Sequence, residues 1–184
     1  EHSRKKMLLR PSRGLADMAA VAALYEASYG HFCPMSYPKA VVDAVVPIIA
    51  VPQRQLLEAP TFKIIENDDG TIVAAGGWTA EVPGTGEKSS RANVRHVACH
   101  PDHAGRGLGR RLLECLMTEA AAQGFDHMDC FSTLNAQPFY ERLGFVVLET
   151  QVLHLGPDKV PFEAVSMRAD LAAYKQREKP PPEA

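Results

Sequence analysis

Residues 97–113 read VACHPDHAGRGLGRRLL. The segment passes from an apolar run that ends at Pro101 into three glycines at alternate positions, Gly105, Gly107 and Gly109, and then into a helical pattern. Glycine lets the backbone turn tightly and lets a ligand approach without Cβ atoms in the way. The first N–H groups of a helix have no partner within the helix, and the helix dipole adds positive character there. The segment therefore predicts a strand-turn-helix unit whose turn can bind phosphate or pyrophosphate.

Arginines add positive charge to this turn, but the common nucleotide-binding patterns do not fit it. Arg106, Arg110 and Arg111 lie between or just after the glycines. The lysine of a P-loop is missing, and the spacing is G-x-G-x-G rather than the G-x-G-x-x-G of dinucleotide-binding folds. Two alternatives stay open on this motif alone: a phosphate-binding protein of unrelated fold, and an ordinary strand-to-helix connection.

The rest of the chain predicts one α+β domain around this unit. Hydrophobic periodicity predicts helices at 16–28, 38–46, 107–123 and 136–143, with Gly30 and Pro47 ending the first two. An irregular segment with one short helical turn is expected at 47–60. Strands are predicted at 7–10, 61–66, 71–78, 93–100, 126–132, 145–155 and 162–168. This order predicts a mixed, mostly antiparallel central sheet flanked by helices, with one central β-helix-β unit at 93–132.

Composition excludes several classes of protein. The 184 residues contain 20 lysines and arginines against 22 acidic residues, so no basic excess favours nucleic-acid binding. No apolar run reaches the ~18 residues of a membrane span. The charged residues 1–6 precede no apolar stretch, which argues against a signal peptide. The four cysteines, Cys33, Cys99, Cys115 and Cys130, form no C-x-x-C pair, so we expect free thiols and a cytoplasmic location.

A second motif makes the glycine turn more specific. Residues 133–145 read TLNAQPFYERLGF, and with the turn they resemble the GNAT superfamily of acetyl-CoA-dependent N-acetyltransferases. Gly107 and Gly109 match the first GNAT signature, in which a strand and a proline lead into Gln/Arg-x-x-Gly-x-Gly/Ala. Residues 140–145 reproduce the second, Tyr-Glu-x-Leu-Gly-Phe. The resemblance covers residues 7–172 and implies a GNAT-like fold whose central β-helix-β unit binds CoA, with charged tails at 1–6 and 173–184.

The resemblance implies acetyl-CoA as co-substrate and assigns roles to residues. The pyrophosphate would lie on the amides of the glycine turn, and the pantetheine arm beside the preceding strand. Tyr140 would protonate the departing sulfur, as suits a phenol, although a tyrosine that merely packs on the core is the alternative. The residues implied to bind the co-substrate are Val97, Cys99, Ala104, Gly105, Arg106, Gly107, Leu108, Gly109, Arg110, Thr133, Asn135 and Phe139.

The sequence departs from the family pattern at two cofactor positions. Ala104 stands where the family has Gln or Arg, and Arg106 is the candidate to replace that contact. Thr133 stands where an asparagine is common. Asn135 lies two residues further on, and its alternative role is to cap the short helix that follows.

The general base is a separate departure. Asn93 stands where some family members carry a glutamate. We predict His96 as the base because histidine titrates near neutrality, although a packed strand histidine is the alternative. Glu81, His31 and Glu26 are the other candidates.

These observations predict an N-acetyltransferase that moves an acetyl group to a primary amine by direct attack in a ternary complex. The alternative is a non-catalytic CoA-binding or regulatory module on the same fold. Pro101 and the strand pattern argue against a metal site at the neighbouring histidines, and Cys99 lacks an activating partner, so no metal and no acyl-cysteine are predicted. The expected partner is a small-molecule or peptide amine, bound by residues 25–60 and 81–90. No nucleic-acid or membrane partner is expected, and a homodimer stays open.

Overall fold

A computed structural model describes residues 6–176 as a seven-stranded sheet with helices on both faces. The strands are β1 Leu8–Pro11, β2 Phe62–Glu66, β3 Ile72–Glu81, β4 Lys88–Cys99, β5 His127–Thr133, β6 Val146–Leu155 and β7 Val160–Asp170. The helices are α1 Met18–Phe32, α2 Lys39–Ile49, α3 Arg54–Glu58, α4 Leu108–Ala122, α5 Gln137–Arg142 and α6 Ala172–Lys175.

The sheet has the strand order β1-β2-β3-β4-β5-β7-β6. Every neighbouring pair is antiparallel except β4 and β5, which run parallel and are joined through α4. A parallel pair needs such a crossover because its strands start at the same end of the sheet. The predicted α+β class, with one central β-helix-β unit in a mostly antiparallel sheet, is therefore confirmed.

The predicted apolar stripe of α4 forms the main core. Leu112, Leu113, Leu116, Met117 and Ala120 are fully buried against one face of the sheet. The opposite face is covered by α1 and α3, whose buried side chains pack on β2 and β3 in a second cluster. The sheet is thus enclosed on both sides at its centre, and α4 is held rigidly at the end of β4.

Two predicted helix ends are wrong. Gly30 does not end the first helix, because it adopts the helical conformation and α1 continues to Phe32. Pro47 lies inside the last turn of α2. Proline there removes only its own N–H bond, and the turn survives because Ala50 N–H donates to Val46 O at 2.9 Å.

Two further segments differ from the predicted limits. Strand β4 starts at Lys88, so the predicted loop at 81–90 is reduced to the turn between β3 and β4. Residue 172 opens the one-turn helix α6, whose Tyr174 packs against the main core. Most of the two predicted tails lies outside the described residues. Between residues 6 and 176, no helix has the length and apolar character needed to cross a membrane.

A buried ion cluster ties β1 to the segment before α1 and makes stability depend on pH. Arg10 donates to both Asp17 carboxylate oxygens at 2.9 Å and to Glu66 at 2.9 Å. The hydrogen bond from Arg10 lowers the pKa of Asp17. A carboxyl group with a lowered folded-state pKa stabilises the fold above its unfolded pKa, near 3.9, and loses that effect as pH falls through the folded pKa.

We therefore expect Asp17→Asn to lower the free energy of unfolding by about 3 kcal/mol near pH 7. This deficit relative to wild type should shrink as the pH falls below about 4, where the wild-type carboxyl group also becomes protonated. Urea denaturation at several pH values measures both quantities. Asp43→Asn is the control, because the Asp43–Lys39 pair is solvent-exposed. A deficit that did not change with pH would contradict the assignment.

Candidate functional site

Strand β4 carries a bulge just before the glycine turn. His96 and Val97 together face a single residue of β3, Gly76. His96 has a φ of 55°, in the left-handed region that non-glycine residues rarely adopt. A Cβ atom on Gly76 would lie 2.5 Å from Val97 Cγ2, so this position requires glycine. Such bulges bend a strand and redirect its backbone groups.

Two tyrosines of α1 and the end of α2 fix the bulge. Tyr25 donates its hydroxyl to His96 O at 2.7 Å, and Tyr29 donates to Val97 O at 3.3 Å. The imidazole of His96 stacks on the Tyr25 ring, with the two ring centroids 4.1 Å apart. Its Nε2 donates to Ile49 O at 2.5 Å. Burial raises the pKa of both phenols and lowers the pKa of His96. The unusual backbone of β4 is thus held by neutral, buried groups.

We expect Tyr25→Phe to lower the free energy of unfolding by about 1–2 kcal/mol, because it leaves the buried carbonyl of His96 without its donor. Urea denaturation measures the change. Tyr29→Phe is the matched variant and should cost less, since its hydroxyl makes the longer bond. A larger loss for Tyr29→Phe would contradict this assignment of the anchor.

Beyond the bulge, a cleft of about 540 Å³ opens between β4 and β5. The pairing of these strands ends at Asn93 and Asp129, so their later residues are free to line the space. The lining comprises Ser28, Tyr29, Phe32, Val97, Ala98, Cys99, His103, Ala104, Gly105, Gly107, Leu108, Gly109, Arg110, Thr133, Asn135, Ala136, Phe139, Tyr140, Arg142 and Leu143. The cleft contains every predicted site residue except Arg106 and His96.

The glycine turn forms one end of the cleft. Gly105 and Gly107 have φ values of 75° and 78°, and a Cβ atom on either would meet no atom within 4 Å. Gly107 is the N-terminal cap of α4, so the unpaired N–H groups of a 15-residue helix start here. Arg110 lines this end but also pairs with Glu114 at 3.2 Å. Arg106 is exposed and lies outside the cleft lining, so the replacement contact from its side chain stays a prediction.

Asn135 supplies an unpaired acceptor to the cleft. Its Oδ1 is inaccessible to solvent and accepts no hydrogen bond from residues 6–176. The alternative role as a helix cap is not realised, because Ala136 occupies the cap position of α5 and no side chain caps it. The adjacent backbone is fixed, since Leu134 N–H donates to the Tyr37 hydroxyl at 2.8 Å. Asn135 therefore lines the cleft with a buried acceptor that no protein group among residues 6–176 satisfies.

Tyr140 lies in the wall opposite α1. It is 7% exposed, and its ring packs edge-on against Phe139 and Phe145. No protein group among residues 6–176 hydrogen-bonds its hydroxyl. Burial raises the pKa of Tyr140 well above its ordinary value, with smaller contributions from the nearby Cys130 and Tyr29. The phenol is therefore protonated at neutral pH.

The position of His96 argues against its predicted role as general base. Its ring lies outside the cleft lining, between α1 and the end of α2, and Nε2 already donates to a carbonyl. The other candidates also lie elsewhere: Glu26, His31 and Glu81 are exposed and do not line the cleft. The groups that do line it on this side are hydroxyls and apolar side chains.

Three residues of α1 within the predicted acceptor segment 25–60 line the cleft, although none of them was predicted as an individual site residue. Ser28, Tyr29 and Phe32 form the wall opposite α5. The sequence did place Ser28 on the apolar face of the first helix, and a buried serine on such a face is the signal that was available. Which strand that face covers depends on contacts distant in sequence.

Comparison with known proteins matches this arrangement. Residues 59–147 match the family model of the acetyltransferase (GNAT) domain, and this range contains β4, the glycine turn and Tyr140. Over this range, 89 of the 184 residues, the chain is similar to the GNAT superfamily. An uncharacterized acetyltransferase of Streptococcus pyogenes is 31% identical to this chain over 99 residues, 54% of the chain and 64% of the relative. The chain thus spans less than two thirds of that relative's length.

Solved structures show the same fold across most of this chain. A GCN5-related N-acetyltransferase from Rhodopseudomonas palustris has a TM-score of 0.72 at 19% identity, covering 92% of this chain and 99% of its own. The PaiA N-acetyltransferase from Thermoplasma acidophilum, solved with coenzyme A, has a TM-score of 0.69 at 11% identity, covering 90% and 99%. At these identities the likeness concerns the fold alone.

Proposed function

We propose that this chain is a GNAT enzyme that transfers an acetyl group from acetyl-CoA to a primary amine by direct attack in a ternary complex. The observation that carries the proposal is that the glycine turn, the free side of β4 and Tyr140 all line one cleft. These are the three features that an acyl transfer from CoA requires: a site for phosphates, a track for the pantetheine arm and a proton donor for sulfur.

The residues present fit coenzyme A along the cleft. The N–H groups from Gly105 to Arg110 would bind the pyrophosphate, because the left-handed glycines leave the helix start open. The backbone of Val97 and Cys99 would hydrogen-bond the pantetheine arm as an added strand does. Asn135 Oδ1, which lacks a partner in the described structure, would accept from an amide of that arm. Ala104, Leu108, Thr133 and Phe139 complete the surface.

At the reacting end, the protein would orient and protonate rather than form a covalent intermediate. Backbone N–H groups of β4 beside the bulge would stabilise negative charge on the thioester oxygen as the amine attacks. Tyr140 would donate its proton to the departing sulfur. The thiol of Cys99 has a pKa raised by burial, which disfavours the thiolate that an acyl-enzyme pathway would need.

Two measurements on the chain test the proposal. Titration calorimetry should show binding of acetyl-CoA, and a panel of primary amines should release free CoA thiol beyond the rate without protein. Absence of binding at millimolar acetyl-CoA would overturn the proposal.

A non-catalytic CoA-binding module is the second candidate, because Ala104 and Thr133 replace polar residues of the family pattern. Acetyl-CoA binding without thiol release for any amine would support the module instead. We also propose that residues 7–172 form a single domain and that the protein is cytoplasmic.

A further inference from the structure

We define the reacting end of the cleft as the part formed by Ser28, Tyr29 and Phe32 of α1 with Val97 and Tyr140 across from them. All of these side chains are uncharged. Ser28 is 4% exposed and its hydroxyl bonds to no protein group among residues 6–176. Burial raises the pKa of both tyrosines, which reports a poorly solvated environment that disfavours charge.

The formal charges that line the cleft are positive. Arg110 and Arg142 are cationic, and the lining residues include no aspartate or glutamate. His103 lies with Ala104 and Gly105 at the glycine-turn end. The centroid of its ring is 5.9 Å from the centroid of the His100 ring, in an edge-on arrangement. The titratable and charged side chains that face the cleft are Tyr29, Cys99, His103, Arg110, Tyr140 and Arg142.

These surroundings discriminate between amines. An ammonium ion would lose hydration at the reacting end without gaining a carboxylate partner, which is costly. The attacking nitrogen must in any case be uncharged. At pH 7 an α-amino group with a pKa near 8 is about 9% uncharged, whereas a lysine-type amine with a pKa near 10.4 is about 0.04% uncharged.

We propose that the acceptor is a weakly basic primary amine, of the α-amino or arylamine class, that enters the cleft uncharged. This inference rests on the proposed acyl transfer. The nitrogen lone pair forms the C–N bond, and the electron pair of the breaking C–S bond goes to sulfur. Tyr140 gives its proton to that sulfur, and the proton lost by nitrogen leaves through water and restores the phenol. No further base of the protein is needed to activate the amine, because the amine arrives without its extra proton.

A peptide with a free N-terminus and one internal lysine tests the preference directly. We expect mass spectrometry to find the acetyl group on the α-amino nitrogen in at least about tenfold excess over the ε-nitrogen, after subtraction of the reaction without protein. Predominant ε-acetylation would overturn the inference and leave the proposed function standing. Absence of thiol release with every amine would instead overturn the proposed function.

The pH dependence tests whether the protein supplies a base. For a series from arylamines through α-amino amides to alkylamines, kcat/KM calculated on total amine should rise tenfold per pH unit and level off at each acceptor's own pKa. His103→Gln should keep these inflections in place, since His103 lies at the other end of the cleft. An inflection common to all acceptors, or one abolished by His103→Gln, would overturn the inference.

A designed carboxylate supplies the converse test. Phe32 is the last residue of α1 and only partly buried, so substitution there is tolerable for the fold. Phe32→Glu should lower KM for alkylamines several-fold by providing a partner for the ammonium group, whereas the uncharged control Phe32→Gln should not. Equal effects of the two variants would contradict the electrostatic argument.

Discussion

Replacing Tyr140 with phenylalanine should lower kcat by about 100-fold or more, because a general acid that protonates a leaving group contributes 10²–10⁴-fold. The affinity for acetyl-CoA should change little. The ring is buried between Phe139 and Phe145, and phenylalanine keeps that packing. The hydroxyl bonds to no protein group among residues 6–176, so its removal leaves no protein partner unsatisfied.

Steady-state kinetics and calorimetry on the same preparation separate the two quantities. Tyr174→Phe is the matched control, since it removes the same atom from a tyrosine outside the cleft lining and should leave kcat near wild type. Equal losses of kcat and of acetyl-CoA affinity in Tyr140→Phe would indicate a packing role instead. An unchanged kcat would show that sulfur leaves without help from this phenol.

Substitution of Gly107 by alanine should weaken acetyl-CoA binding by about tenfold or more. The residue has a φ of 78° and caps α4, so a side chain strains the turn by roughly 1–2 kcal/mol and adds a Cβ atom to an open surface. A loss of 1.4 kcal/mol in binding corresponds to a factor of ten in Kd. Both effects displace the N–H groups on which the proposed pyrophosphate site depends.

Gly124 supplies the control for backbone strain. It follows the other end of α4 with a φ of 96° and lies outside the cleft lining. Gly124→Ala should cost a similar free energy of unfolding, measured by urea denaturation, but leave the calorimetric Kd for acetyl-CoA unchanged. Equal weakening of Kd by the two variants would trace the effect to α4 as a whole rather than to the anion site.

The sequence predicted the parts of the site that depend on local backbone chemistry. The residue type of Gly105, Gly107 and Gly109 predicts a turn and a helix start. The motif around Tyr140 lies within one short segment. Both adjoin the same cleft because the parallel β4-α4-β5 unit brings their ends together. The seven strands and the mostly antiparallel character of the sheet were also predicted, since turn residues bound the strands.

What the sequence did not predict depends on tertiary contacts. His96 occupies a left-handed conformation that its residue type does not favour, and the bulge exists because Tyr25 and Ile49 bond to it from distant helices. A histidine on a strand predicted a base, whereas the structure places the His96 ring in packing contacts outside the cleft lining. Pro47 is similar: proline predicts the end of a helix, yet in the last turn of α2 only one hydrogen bond is lost.

The contact between Gly109 and Phe139 has a consequence for which donor molecules fit. A Cβ atom on Gly109 would lie 3.0 Å from the Phe139 ring, so α4 meets α5 at close range beside the cleft. Phe139 immediately precedes Tyr140, so this contact constrains the spacing between the start of α4 and the Tyr140 ring. Under the proposed function, the arm between the phosphates and the sulfur of a thioester carrier has to span that spacing, so we expect carriers with a shorter or longer arm to react more slowly.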